Sequence, residues 1–187
     1  MQIPGPASPG ADTAPAAFVP GAEALRMLPR RILIVTDAWA PQVNGVVRTY
    51  EAISAVLVRR GCTVRVIGPG AFASVALPSY PEIALALAPY RRLCAMIAAF
   101  EPEAIHIAVE GPLGWAARRW CLRHGRAFST AFHTNFPAYA AQRVPGPLRR
   151  PVAAATLAAL RRFHGAARLT YVATPSIEGA LRGWGVG

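Results

Sequence analysis

From Arg31 onward, short β-branched runs alternate with longer segments whose apolar residues recur at helical spacing, and this alternation limits the chain to very few architectures. The run Arg31–Thr36 (RILIVT) holds four consecutive apolar residues, Ile32–Val35, three of them β-branched, the pattern of a strand buried on both faces. Val46, Tyr50, Ile53 and Leu57 then recur at helical spacing, and Gly61 supplies the stop. Thr63–Ile67 reads as a second strand, and a Pro-rich stretch follows with a short third strand near Glu82–Leu85. The alternation continues with a helix over Tyr90–Phe100, a strand over Ala104–Val109 and a helix over Pro112–His124. It ends with a strand over Ala127–Phe132, a helix over Leu148–Phe163, a strand over Leu169–Ala173 and a last helix behind Thr174 and Pro175. Ile177, Leu181 and Trp184 share one face of that helix. Such alternation implies right-handed βαβ units and a parallel sheet with helices on both faces, so the fold class is α/β, a Rossmann-like three-layer domain.

Residues 1–28 lack this texture. They are Pro-, Ala- and Gly-rich with little charge, and read as a disordered tail ahead of a domain spanning 29–187. No charged start followed by an apolar run is present there, which excludes a signal peptide, and no apolar stretch approaches the roughly 18 residues of a spanning helix. Cys62, Cys94 and Cys121 are odd in number and widely spaced, as expected of reduced, buried thiols in a cytoplasmic protein. The chain stops at Trp184–Gly187 directly after a helix, where another strand or domain is expected, and it reads as truncated.

All 20 basic residues are arginine, against nine acidic residues, for a net charge of +11. The absence of lysine excludes a P-loop lysine, Schiff-base chemistry and the usual protein-kinase site, each of which needs an amine. Arginine pairs at 59–60, 91–92, 118–119, 149–150 and 161–162 either form a basic face for anionic lipid at the inner face of a membrane or simply solvate helix surfaces. Nucleic acid is not expected, because no recognised motif or aromatic platform accompanies them.

In open α/β sheets ligands bind beyond the carboxyl ends of the strands, where strand order reverses. Numbering the expected strands in chain order, an order of 3-2-1-4-5 puts that crevice between the loops Asp37–Gly45 and Glu110–Gly114, with the loop starting at His133 on the same edge. Asn44, Gly45 and Arg48 open a helix there. Asn44 can cap it, Gly45 lets a ligand approach, and the first-turn amides and Arg48 suit a phosphate or diphosphate. The same residues also read as an ordinary Asn-Gly loop entering a helix. Asp37 and Glu110 end strands at the crevice edge, where a carboxylate can bind ligand hydroxyls or cap a helix. His133 can hydrogen-bond a ligand from the crevice wall, or be a packed surface residue.

Other residues read structurally. His106 lies within a strand as a satisfied core residue, and His124 and His164 sit at helix ends, where an imidazolium complements the dipole. Cys121 and His124 have CxxH spacing without a second pair, so no metal is expected. Gly68–Ala73 satisfies GxGxxA, but it follows the second strand, and Pro78 and Pro81 leave no room for the helix that a dinucleotide needs. It reads as a turn, which counts against a nicotinamide-dependent oxidoreductase.

Taken together, ILIVTDAWAPQVNGVVRTYEAI (32–53), VIGPG (66–70), YPEIALAL (80–87), EAIHIAVEGPLGWAARRWC (103–121), AFHTNFPAY (131–139) and ATPS (173–176) resemble the N-terminal domain of the retaining glycosyltransferases of family four, which have the GT-B fold. Within that family the chain is similar to mannosyltransferase and other lipid-directed hexosyltransferase members. The resemblance implies transfer of a hexose, mannose favoured, from a nucleotide diphosphate sugar to an acceptor hydroxyl with retention of configuration and without a metal or other cofactor. It places Asn44 and Gly45 against the donor diphosphate and His133 against the donor sugar, with Asp37, Glu110 and Tyr139 near sugar or acceptor. It also implies a second, donor-binding domain that supplies the nucleotide pocket, so that this chain alone is expected to be inactive. The alternative is a non-catalytic basic module for an anionic lipid surface.

Overall fold

The computed structural model of the chain describes residues 28–77, 80–133 and 146–186. Residues 1–27 of the expected tail and Tyr139 lie outside the described residues. In chain order the elements are β1 (Arg31–Val35), α1 (Gly45–Arg59), β2 (Thr63–Ile67), β3 (Ser74–Leu77), β4 (Tyr80–Ala86) and α2 (Tyr90–Phe100). There follow β5 (Ala104–Ile107), α3 (Pro112–Arg123), β6 (Ser129–Phe132), α4 (Gly146–His164), β7 (Leu169–Val172) and α5 (Pro175–Gly183).

The first apolar run occupies the middle of the molecule because it has no polar face to offer water. β1 pairs in parallel with β2 on one side and β5 on the other, and Leu33 and Val35 are fully buried. β6 and β7 continue the parallel sheet, giving the order β2-β1-β5-β6-β7. The reversal point expected between the first strand and Ala104–Val109 is therefore present, at β1 and β5.

The expected third strand does not join this sheet. Glu82–Leu85 falls within β4, which pairs antiparallel with β3 as a separate two-stranded ribbon, Val75 facing Leu85 and Ala76 facing Ala84. Only residues 78 and 79 separate these strands. A connection that short closes a hairpin, whereas a parallel return needs a crossover of a dozen residues or more. The GxGxxA stretch opens with a three-residue 3-10 turn at Pro69–Ala71, so no long helix follows it. Its first glycine has a packing reason instead: a Cβ on Gly68 would come within 2.7 Å of Trp39 Cβ.

The two sheet faces are covered unequally. Leu33, Val35, Ile105 and Ile107 point to one face, where Leu93 and Ile97 of α2, Leu113 and Ala117 of α3 and Phe163 of α4 bury them. Phe132 continues this face under Leu160 and Leu181, with Ile177 and Trp184 packed alongside, as the helical spacing of α5 implied. On the opposite face Ile32 and Ile34 pack against Tyr50 of α1, with Leu57 and Leu28 beside them. Leu28 thus belongs to the fold rather than to the tail. Toward β7 this second face is open: Leu169 is 52% and Tyr171 55% exposed.

Arg118 and Arg119 of one pair, and the single Arg123, lie over aromatic rings. Arg119 sits 4.6 Å from the centre of the Tyr90 ring, with Arg123 at 5.6 Å, and Arg118 lies over Trp115. These guanidinium planes cover ring faces on α2 and α3 while their charge stays at the surface. Thr174 takes the N-cap position of α5 with Pro175 behind it, but its hydroxyl bonds Ser176 Oγ at 2.9 Å instead of capping an amide.

Leu33→Ala is expected to cost about 2–5 kcal/mol, while Leu169→Ala on the open face costs less than about 1 kcal/mol. Urea unfolding of the two variants checks this, and equal losses would show that the β7 edge is packed as tightly as β1.

Candidate functional site

Parallel strands deliver their carboxyl ends to one edge, and at that edge β1, β5 and β6 release Asp37, Glu110 and His133. Thr36 is fully buried and steers the exit from β1: its amide donates to Ile67 O, and its hydroxyl accepts from Ala38 N. The chain then enters a loop whose polar atoms are paired in series. Gln42, 7% exposed, donates from Nε2 to Asp37 O, and Asn44 Nδ2 donates to Gln42 Oε1 at 3.3 Å. Asn44 Oδ1 accepts from Val47 N at 3.0 Å, so Asn44 caps α1 as its residue type implied.

The cap accounts for one first-turn amide, and those of Gly45 and Val46 have no carbonyl within the helix. No acidic residue occupies the first turn of α1, and Arg48 is exposed there. A Cβ at Gly45 would meet nothing within 4 Å. This end of α1 is therefore open and electropositive.

Asp37 holds two elements together. Its Oδ1 accepts from Leu113 N at 3.0 Å and its Oδ2 from Gly114 N at 3.1 Å, capping α3 from a different strand. The N-cap residue of α3 is Gly111, which has no side chain to do this. Gly111 is required by the approach, since a Cβ there would collide with the Asp37 carboxylate, and one on Gly114 would collide with the Val109 carbonyl. Of the two expectations for Asp37, capping is the one its oxygens fulfil. Burial outweighs these bonds and raises its pKa to about 6, and the charge of Glu110 adds to the rise.

Glu110 does not cap the helix that follows it. Its Oε1 lies 2.9 Å from His164 Nε2, and His164 Nδ1 lies 2.9 Å from Thr130 Oγ1. His164, read as a helix-end residue, does close α4, and it is only 2% exposed with its ring turned onto the sheet. The reason is position: Phe163 and His164 close the last turn of α4 against β6, and Thr130 and Glu110 lie under that turn as hydrogen-bond partners for the ring.

His133 contacts α1. Its Nε2 lies 3.1 Å from Tyr50 Oη, whose other neighbour is His106 Nε2 at 2.7 Å, and His106 Nδ1 lies 2.9 Å from Ser129 Oγ. His106 is thus a satisfied core residue, as expected, and also a link to His133. Burial, assisted by His133, lowers its pKa to about 4. Burial also lowers the pKa of His133, opposed by the charge of Glu110, and burial followed by Glu110 and Tyr171 raises that of Tyr50. Both imidazoles are neutral at neutral pH. Beneath this cluster Ile53, Leu57 and Tyr171 line an apolar groove of about 400 Å³ that reaches Tyr50, His106 and Ser129.

Gly45 and Tyr50 are five residues apart on α1, about 7.5 Å along its axis. The open helix end and His133 therefore belong to one edge of the molecule, with Asp37 and Glu110 beside them. Tyr50, Gln42, Ser129 and His164 were not singled out from the sequence as parts of this region. The available signal was polarity at inward positions: a hydroxyl on the buried stripe of α1, and a histidine beside Phe163 in a last turn of α4 whose Arg161 and Arg162 are exposed. Of the CxxH pair, Cys121 is fully buried with its thiol pushed up to about 12, and His124 stacks on Trp120 at 4.3 Å.

Compared with protein-family models, residues 43–187 match Glycosyltransferase Family 4. No curated protein matches the chain.

Two opposed pH effects follow from this geometry. Asp37, with its folded pKa raised to about 6 from 3.8, loses stabilising effect as pH rises through that window. His106, lowered to about 4 from 6.5, gains it over nearly the same window. Asp37→Asn removes the first effect and keeps an acceptor on α3. Its stability is expected to rise more steeply between pH 4 and 6 than that of the wild type, by up to about 1.4 kcal/mol per pH unit. Urea unfolding across this range checks the sign, and a shallower rise would contradict the burial-driven shift of Asp37.

Proposed function

Because the chain belongs to glycosyltransferase family 4, we propose that its strand-tip edge is one wall of a sugar-nucleotide cleft. The reaction is transfer of a hexose, mannose favoured, from a nucleotide diphosphate sugar to an acceptor hydroxyl with retention of configuration. The observation that carries this reading is the juxtaposition of the open, acid-free N-terminus of α1 with His133 on a single edge. An anion at the amides of Gly45 and Val46 and at Arg48 would leave its sugar within reach of the neighbouring strand tips.

In this reading the Gly45 loop and Arg48 bind the donor diphosphate, with Asn44 holding the helix end in shape. His133 contacts the donor sugar. Glu110, with one oxygen engaged by His164, offers its second oxygen to a sugar or acceptor hydroxyl. Tyr139 contacts acceptor or sugar, and Asp37 acts through α3, since both of its oxygens are already engaged. As the bond between the anomeric carbon and the phosphate oxygen breaks, negative charge grows on the departing diphosphate. The helix amides and Arg48 stabilise that charge without reorganising. The new bond forms to the acceptor oxygen, whose proton leaves with the nucleoside diphosphate.

No metal takes part in this reading. The nucleotide base is held by a second domain, of the GT-B arrangement, either joined to this chain or supplied separately. Among the described residues no helix is long and apolar enough to cross a membrane, and we place the protein in the cytoplasm, at most peripheral to the membrane carrying its acceptor.

Calorimetric titration of the chain with GDP-mannose, UDP-glucose and NAD is expected to show the sugar nucleotides preferred, and Arg48→Ala to weaken them. Preference for NAD would overturn the reading. In a protein reconstituted with its donor-binding domain, His133→Ala is expected to lower turnover by about tenfold or more, and unchanged turnover would remove His133 from the site.

A further inference from the structure

Tyr50 carries one hydroxyl proton and sits between two imidazole nitrogens, 2.7 Å from His106 Nε2 and 3.1 Å from His133 Nε2. With both rings neutral, the hydroxyl can donate to only one of them and must accept from the other. The same rule passes through His106, because a neutral ring that accepts at Nε2 donates at Nδ1. Ser129, Tyr50 and the two histidines therefore have two concerted proton arrangements, and the heavy-atom distances choose between them. A hydroxyl donor makes shorter bonds than a ring N–H does. The 2.7 Å bond fits Tyr50 donating to His106 Nε2. The 2.9 Å bond fits His106 Nδ1–H donating to Ser129 Oγ, and the 3.1 Å bond fits His133 Nε2–H donating to Tyr50 Oη.

We propose that Tyr50 is a positioning residue for His133, holding it as the Nε2–H tautomer so that Nδ1 is left as a hydrogen-bond acceptor for a ligand hydroxyl. Nδ1 has no partner among the described residues. The rings are also fixed in angle: His133 meets Tyr50 edge-on at 86°, and Tyr171 meets His106 edge-on from β7. The ionisable groups bearing on the cluster are Glu110, Tyr171 and its own members, and burial keeps both imidazoles neutral at neutral pH. The ligand part of the inference rests on the donor-sugar reading of His133. A fixed acceptor there orients a sugar by one of its hydroxyls and rejects a bound group that has only acceptors to offer, which makes Tyr50 a determinant of what His133 can bind.

Long-range ¹H–¹⁵N spectra of the full chain, labelled at histidine, test this directly at neutral pH. His106 is expected as the Nδ1–H tautomer and His133 as the Nε2–H tautomer, the wild type alone sufficing for this reading. In Tyr50→Phe the His133 nitrogen shifts are expected to move toward one another, and its ring proton to exchange with water about tenfold faster, the scale of one lost hydrogen bond. The signals of His164, held by Thr130 and Glu110, stay in place and report an intact fold. His133 protonated on Nδ1 in the wild type, or unchanged by Tyr50→Phe, overturns the proposal. Added GDP-mannose or UDP-glucose is expected to shift His133 Nδ1. Tautomers as assigned without response to either compound would overturn the sugar contact while leaving the positioning by Tyr50 standing.

Discussion

The Asp37 carboxylate on the N-terminus of α3 is the interaction on which the strand-tip edge depends. It joins the end of β1 to the helix that follows β5, and these are the two strands between which the order of the sheet reverses. A crevice at such a point tends to be mobile because two loops diverge there. Here a charged or protonated acid, almost wholly buried, pins one loop to the other through two amides. Gly111 permits the approach and Gly114 permits the turn beneath it, so the segment EGPLG is shaped by the space Asp37 and Val109 occupy.

Around this joint the polar groups are paired in chains rather than left to solvent. Thr36, Gln42 and Asn44 link β1 to the cap of α1, His164 links Thr130 to Glu110, and Tyr50 links the two other inward histidines. A buried polar group that lacks a partner costs more than a satisfied one gains, so such chains are cooperative in holding one arrangement. For the proposed cleft the consequence is preorganisation: the groups on this edge are held by partners that themselves are held, which lowers the cost of ordering them around a ligand.

Much of this architecture was legible from the order of residues because burial and periodicity are local signals. β1, β2, α2 and α3 lie where the apolar runs and the helical spacing put them, and the reversal between β1 and β5 is the one contained in the strand order assumed for such a sheet. The ribbon of β3 and β4 was not legible, since a short apolar run looks the same whether its partner is a sheet or a hairpin. Asn44 as a cap was legible because capping joins residues three apart. Asp37 as a cap of α3 was not, because its partners lie 76 and 77 residues away. The partners of His164 were not legible for the same reason: its place at a helix end was, but a helix end does not say whether the ring turns inward.

Sequence alone determined the alternating α/β layout, the apolar strand at the centre, the lysine-free chemistry and the loops that had to meet at the carboxyl edge. Each of these depends on residue type and near-neighbour spacing. Tertiary structure alone decided which polar groups face one another across that edge: Asp37 with α3, Glu110 with His164, and His133 with Tyr50 and His106. Hydrogen bonds act over about 3 Å, so these pairings exist only once distant strands have been set side by side.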